Sequence, residues 1–85
     1  MTARIDMEQS ALILGHEAAR RALVRNRHKG IPNESVAQLI RMSQDEADEV
    51  LHALRADRGD DAVMDEIGDA IAYLYIAAWR VRGGQ

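Results

Sequence analysis

The sequence predicts an all-α fold, a three-helix chain forming a helical bundle, and three observations carry that prediction. Apolar residues make up 47% of the chain, yet there is no Phe, one Trp and two Tyr. The core must therefore be built from Ala, Leu, Ile, Val and Met, a palette that suits close-packed helices better than sheets. Two short breaker clusters, Lys29-Gly30-Ile31-Pro32-Asn33 and Arg58-Gly59-Asp60-Asp61, divide the chain into three segments. In the second and third segments the apolar residues recur at three-and-four spacing. At 85 residues the chain, 1–85, is read as a single domain, and a layer of helices this small buries too little surface to be comfortably stable alone. Assembly as a homodimer or homotetramer is expected to complete the bundle.

The first helix is expected over about residues 6–28. Asp6 with Gln9 three residues on resembles a capping box, and Gly30 is placed to end the helix. Asn33, following Pro32, is the expected N-cap of a second helix that reaches about Ala56. Gly59 is the expected C-terminal stop of that helix, with Asp60 or Asp61 capping a third that runs to about Val81. Gly83-Gly84-Gln85 reads as a frayed tail. Both connections are short, so consecutive helices are expected to lie antiparallel as neighbours.

Several function classes fall away on composition. There is no Cys, which removes disulfide scaffolds, thiolate metal sites and cysteine nucleophiles. A formal net charge of −3 argues against a dedicated nucleic-acid binder, because such proteins gain most of their affinity from an excess of Lys and Arg. No apolar run approaches bilayer length, and the start MTARIDMEQS lacks the basic-then-apolar layout of a signal peptide. The expectation is a soluble, cytoplasmic chain without nucleic-acid or membrane partners. Its charge is uneven: Arg20, Arg21, Arg25, Arg27 and Lys29 crowd one stretch, and acidic residues crowd 44–69.

The acidic stretch lies on the two helices with the clearest apolar stripes. The second helix carries Val36, Leu39, Ile40, Ala47, Val50, Leu51 and Leu54 on one face, and the third carries Val63, Ile67, Ala70, Ile71, Leu74, Ala77 and Val81. At about 100° per residue, Glu46 falls roughly 80° from its stripe and Glu49 roughly 140°. On the third helix Glu66 falls roughly 60° and Asp69 roughly 120° to the same rotational side. The two-fold relation between facing antiparallel helices puts both pairs along one edge of the seam. Each is an i, i+3 pair, able to aim at a shared point. Carboxylates brought together raise one another's pKa, and a divalent cation relieves that repulsion. Oxygen-only ligands select a hard ion, Mg²⁺ or Mn²⁺, with a phosphate substrate completing the shell. The competing reading is that these charges simply flank an amphipathic face.

Asp45-Glu46-Ala47-Asp48-Glu49 followed by Glu66-Ile67-Gly68-Asp69 resembles the E-E-x-x-E … E-x-x-D signature of the MazG-like nucleoside triphosphate pyrophosphohydrolases. The run Asp65-Glu66-Ile67-Gly68-Asp69-Ala70-Ile71-Ala72-Tyr73-Leu74 is similar to the family's "EELGDVLxYL" segment, and the resemblance covers the second and third helices. It implies an all-α dimer or tetramer in which Glu46, Glu49, Glu66 and Asp69 hold Mg²⁺. The implied reaction cleaves a nucleoside triphosphate to the monophosphate and pyrophosphate. Asp45 departs from the family's first Glu; it falls opposite the stripe and is not counted as a ligand. Glu49, the ligand least supported by geometry, is the candidate catalytic residue, orienting or deprotonating the attacking water. Lys29 and Arg25 are candidate ligands of the β and γ phosphates, against the alternative that they are exposed helix-end cations. Tyr73, one turn beyond Asp69 and matching the family's Tyr, is a candidate nucleotide contact, or else an amphipathic edge residue.

Two rival readings remain. Glu49-Val50-Leu51-His52 is a Glu-x-x-His, as in di-iron carboxylate bundles, but His52 falls roughly 160° from the stripe, away from a bundle core. A non-enzymatic helical interaction module explains the composition but not the matched offsets of the acidic pairs. Trp79 faces away from the third helix's stripe and suits packing on the first helix or a second copy better than base stacking. His16 is expected in a core or an interface. Gly15 and Gly68 each cost up to about 1 kcal/mol relative to Ala inside a helix, a cost that close helix approach would explain.

Overall fold

The computed structural model describes residues 2–85, and the all-α expectation holds. The chain folds as α1 (Thr2–Arg25), a single 3₁₀ turn (Arg27–Lys29), α2 (Val36–Arg55) and α3 (Asp60–Val81), with no strand among the described residues. No helix is long and apolar enough to cross a membrane. Helix α1 begins at Thr2, so Asp6 lies in its second turn and caps nothing; Gly30, at φ 75°, ends the 3₁₀ turn that follows. The N-cap of α2 is Ser35 rather than Asn33. The Gln38 amide donates to Ser35 Oγ at 3.2 Å and the Ser35 amide donates to Gln38 Oε1 at 2.8 Å, a reciprocal capping box. The Ser/Gln pair satisfies two amides at once where Asn33 would satisfy one.

Helix α2 is stopped by Asp57, not by Gly59. Asp57 adopts the left-handed conformation at φ 53°, its amide donates to the Leu54 carbonyl, and the Arg58 amide donates to that of Ala53 at 3.1 Å. This is the Schellman pattern, and Asp is one of the few residues that reach it without glycine. Gly59, at φ 91°, is instead the residue before α3. The same pattern closes α3. Gly83 sits at φ 93°, and the amides of Gly83 and Gly84 donate to the carbonyls of Arg80 and Trp79, each at 3.0 Å. The segment 83–84 is thus folded back rather than frayed, and a Cβ on Gly84 would overlap the Trp79 indole.

Helix α3 is the centre of the fold. Along α1, Gly15 meets Ile71, Ala18 meets Gly68 and Arg25 meets Asp65 and Asp69, so residue number rises on one helix as it falls on the other. Along α2, Ser43 meets Ala70 and Glu46 meets Glu66 and Asp69, in the same antiparallel sense. Hence α1 and α2 run parallel, on separate flanks of α3, and do not pack on each other among the described residues. The expected neighbour relation of consecutive helices holds for α2 and α3 and fails for α1 and α2. The reason is the connection 26–35. Roughly ten residues can extend over about 30 Å, whereas the dozen residues of α3 that it must pass rise only about 18 Å. It runs along α3 as a strap, and an Arg80 Nη2–H donates to the Pro32 carbonyl.

The two flanks are packed differently. Ala18, Ala19 and Ala22 of α1 are buried against α3, and a Cβ on Gly68 would collide with the Ala18 backbone; Gly68 lets the two helices approach closely. Gly15 has only Ile71 Cδ1 at 3.9 Å from where its Cβ would stand, so close approach does not explain it. On α2 the line facing α3 is Leu39, Ser43, Glu46, Val50 and Ala53, with Leu39, Ser43 and Ala53 buried. Ser43 Oγ–H donates to the Ala70 carbonyl at 2.8 Å. Ile40, Leu51 and Leu54, which the sequence places in the buried stripe, are 41–57% exposed. The inward face is rotated by about one residue from the expected one, which carries Glu46 onto the seam. Ile5, Leu12, Ile13 and Leu14 of α1 are likewise about half exposed or more.

Candidate metal centre

Three carboxylates converge where α2 crosses α3. Glu46 comes from the inner line of α2, and Glu66 and Asp69 come from successive turns of α3. One oxygen from each lies within 4.8 Å of the others, and all three residues are half-buried. The i, i+3 spacing makes Glu66 and Asp69 neighbours on one helix face, and the rotation of α2 aims Glu46 at both. Burial is the largest influence pushing the Glu46 carboxyl above its ordinary value of 4.5, followed by the charges of Asp69, Glu66 and Glu49; Lys29 acts in the opposite direction. The Tyr73 phenol, one turn beyond Asp69, is pushed up as well, first by burial and then by Glu46, Asp69 and Glu34. Desolvated carboxylates crowded by like charge form a donor set that fits a hard divalent cation.

Glu49 does not join this group. It is exposed, its Oε1 lies 3.8 Å from His52 Nδ1, and it shares a shallow outer hollow with Asp45, Asp48 and His52. Three residues advance a helix by about 300°. With Glu46 turned onto the seam, Glu49 is carried past its edge. Of the expected cation ligands of phosphate, Arg25 is committed to carboxylates: its Nη2–H donates to Asp69 Oδ1 at 3.0 Å, and its Nη1 is 3.6 Å from Asp65. Lys29 projects from the strap into a cleft.

That cleft, of about 920 Å³, lies between the strap, α2 and α3. Glu46 and Asp69 stand at one end, and Tyr73, Ile76 and Trp79 follow along α3. Trp79 is 43% exposed; it packs on its own chain's Gly84, with the Arg80 guanidinium 5.3 Å from its ring. His16 is exposed rather than in a core, edge-on to Tyr75 at 5.7 Å.

Sequence reasoning missed Arg58, whose Nη1 lies 3.6 Å from Glu66 Oε1. Its position beside the cluster follows from the turn that Asp57 makes, and an Asp in a left-handed turn has no distinctive spacing to reveal it. No protein-family model, curated protein or solved structure matches the chain.

Proposed function

We propose that the protein is a Mg²⁺-dependent nucleoside triphosphate pyrophosphohydrolase, releasing a nucleoside monophosphate and pyrophosphate. One observation carries the reading: a single cleft joins two of the grouped carboxylates, Glu46 and Asp69, at one end, a lysine-bearing strap along one wall and an aromatic, apolar length of α3 beyond them. This is the order of chemistries that a metal-bound triphosphate followed by a nucleoside presents. Glu46, Glu66 and Asp69 would hold the ion. When bound, it neutralises phosphate charge and activates the attacking water. Lys29 supplies a cation to the phosphate chain, and Tyr73 borders the path towards the nucleoside. Glu49 is exposed and lies outside the group, so any action on the attacking water would come from the rim of the site.

The reading fits the resemblance drawn from the sequence, with three carboxylates of the signature grouped, two of them lining the cleft, and one outside. Pyrophosphate release from a panel of ribo- and deoxyribonucleoside triphosphates with Mg²⁺, compared between the wild type and Glu66→Gln, tests it. Turnover with some nucleotide, lost in the variant, is expected. A second reading, a non-enzymatic helical module, is favoured by the exposed Ile5, Leu12, Ile13 and Leu14 of α1, an apolar face suited to another chain. Under the enzyme reading the same face is covered in a homodimer or homotetramer. No pyrophosphate from any nucleotide, together with no Mg²⁺-induced rise in melting temperature, would favour the module.

A further inference from the structure

The three carboxylates are not served alike. Asp69 accepts a hydrogen bond from Arg25, which reaches in from the end of α1, and Glu66 faces Arg58, which reaches in from the α2–α3 turn. No ion pair to Glu46 forms among the described residues. The two guanidiniums therefore give the group of three carboxylates a formal charge of −1, and a single divalent cation in their place would give the same −1. Exchange of two guanidiniums for one ion leaves the local charge unchanged and frees two cationic side chains beside the carboxylates. Arg25 has Asp65 as a second partner at 3.6 Å. Arg58 has no second ion-pair partner among the described residues, its side chain is 50% exposed, and its backbone is fixed by the bond from its amide to the Ala53 carbonyl. At 3.6 Å the Arg58–Glu66 contact is an ion pair too long to be a hydrogen bond, and so is readily given up.

We propose that Arg58 is a resident counter-cation of the metal centre, displaced from Glu66 when the divalent ion enters and then turned onto a phosphate of the substrate. The inference rests on the pyrophosphohydrolase reading and adds to it a residue that couples ion binding to phosphate binding. Arg58 competes with the ion when no phosphate is present and assists once one is, so its removal acts in opposite directions on the two affinities.

The test measures Mn²⁺ binding to the metal-free chain by calorimetry, then binding of inorganic tripolyphosphate at saturating Mn²⁺, for the wild type, Arg58→Gln and Arg58→Lys. Melting temperatures confirm that each variant is folded. Arg58→Gln is expected to bind Mn²⁺ alone about two- to fivefold more tightly, the size of an exposed ion pair. It should bind tripolyphosphate about tenfold more weakly, the size of a charged hydrogen bond to phosphate. Arg58→Lys should restore much of both. Unchanged or weaker Mn²⁺ binding in Arg58→Gln would overturn the proposal and leave Arg58 as a prop for the Glu66 side chain. Tighter Mn²⁺ with unchanged tripolyphosphate binding would overturn its phosphate half. A wild type that binds no Mn²⁺ would sink both this proposal and the enzyme reading, which separates that failure from the others.

Discussion

The two flanks of α3 solve opposite problems with the same helix. Against α1 it offers Gly68, and meets small residues, Ala18 above all, in a close contact whose charges are paired, Arg25 lying on Asp65 and Asp69 at its end. Against α2 it offers Glu66 and Asp69, and meets a third carboxylate, Glu46. The first flank maximises contact between backbones and is a structural joint. The second gives up apolar burial at the middle of a seam and crowds like charge there, an arrangement that lowers stability unless something else is gained. A third carboxylate setting marks the contrast. Glu17, on the outer face of α1, accepts from Arg20 at 2.7 Å and also pairs with Arg21. Its carboxyl is pulled down to about 2, chiefly by the Arg20 hydrogen bond. Glu17 is fully compensated within the chain; Glu46 is not. Uncompensated charge at a half-buried seam is the better pointer to function.

The largest expected effect lies on the charged flank. On the proposed function, Glu66→Gln should reduce pyrophosphate release by at least about a hundredfold, as loss of a group acting on the transition state does. The metal-free melting temperature should change little, because the repulsion from Glu46 and Asp69 and the Arg58 ion pair are lost together. Next comes the tight flank. Gly68→Val forces a side chain into the Ala18 backbone and should cost about 2–3 kcal/mol by overpacking. Gly15→Ala, with room for its methyl, should instead gain up to about 1 kcal/mol from helix propensity. Equilibrium denaturation of both variants measures this, and equal losses at the two glycines would refute the close-approach account.

Smaller effects come from the carboxylates one by one. Glu46→Gln should raise the metal-free melting temperature by a few degrees and remove most of any gain produced by Mg²⁺. The pH dependence follows from the direction of the shift. The folded Glu46 carboxyl lies above the ordinary 4.5, so over the window between them the folded chain holds the proton more tightly than the unfolded one. This group's contribution is most favourable below 4.5 and declines as pH rises through its raised value. Melting curves of wild type and variant should diverge across that window. The smallest effect belongs to Glu17, whose folded value lies below the unfolded one. Its contribution is present above 4.5 and lost as pH falls towards 2, and Glu17→Gln should flatten only that acid limb. The group is exposed, so the change should be slight and should shrink further with added salt.

Much of the local structure is legible without coordinates. The ends of α2 near Ala56 and of α3 near Val81 follow from turn residues and the exhaustion of the apolar pattern. The caps were harder. The cap expected at Asn33 is made by Ser35 with Gln38, two residues on, and Asp57 takes a left-handed position that propensity assigns to Gly59. The candidate site was half legible. Glu66 and Asp69 keep their sequence partnership because one helix turn fixes it, whereas the pairing of Glu46 with Glu49 depends on which way α2 is turned.

By itself the sequence determined the helical class, the three segments and the acidic pairs, because these depend on spacing along a helix and on residues that break one. Only the tertiary structure decided that α3 lies between two parallel helices, that Glu46 faces the seam while Glu49 leaves it, and that Arg25 and Arg58 arrive beside the carboxylates. Helical periodicity states the angle between two residues on one helix, but not the angle at which that helix meets another. On α2 the larger apolar residues Ile40, Leu51 and Leu54 outweigh Ser43 and Ala53 in any linear count. It is Leu39, Ser43 and Ala53 that are buried, because α2 is turned so that their line, and not that of the larger residues, faces α3.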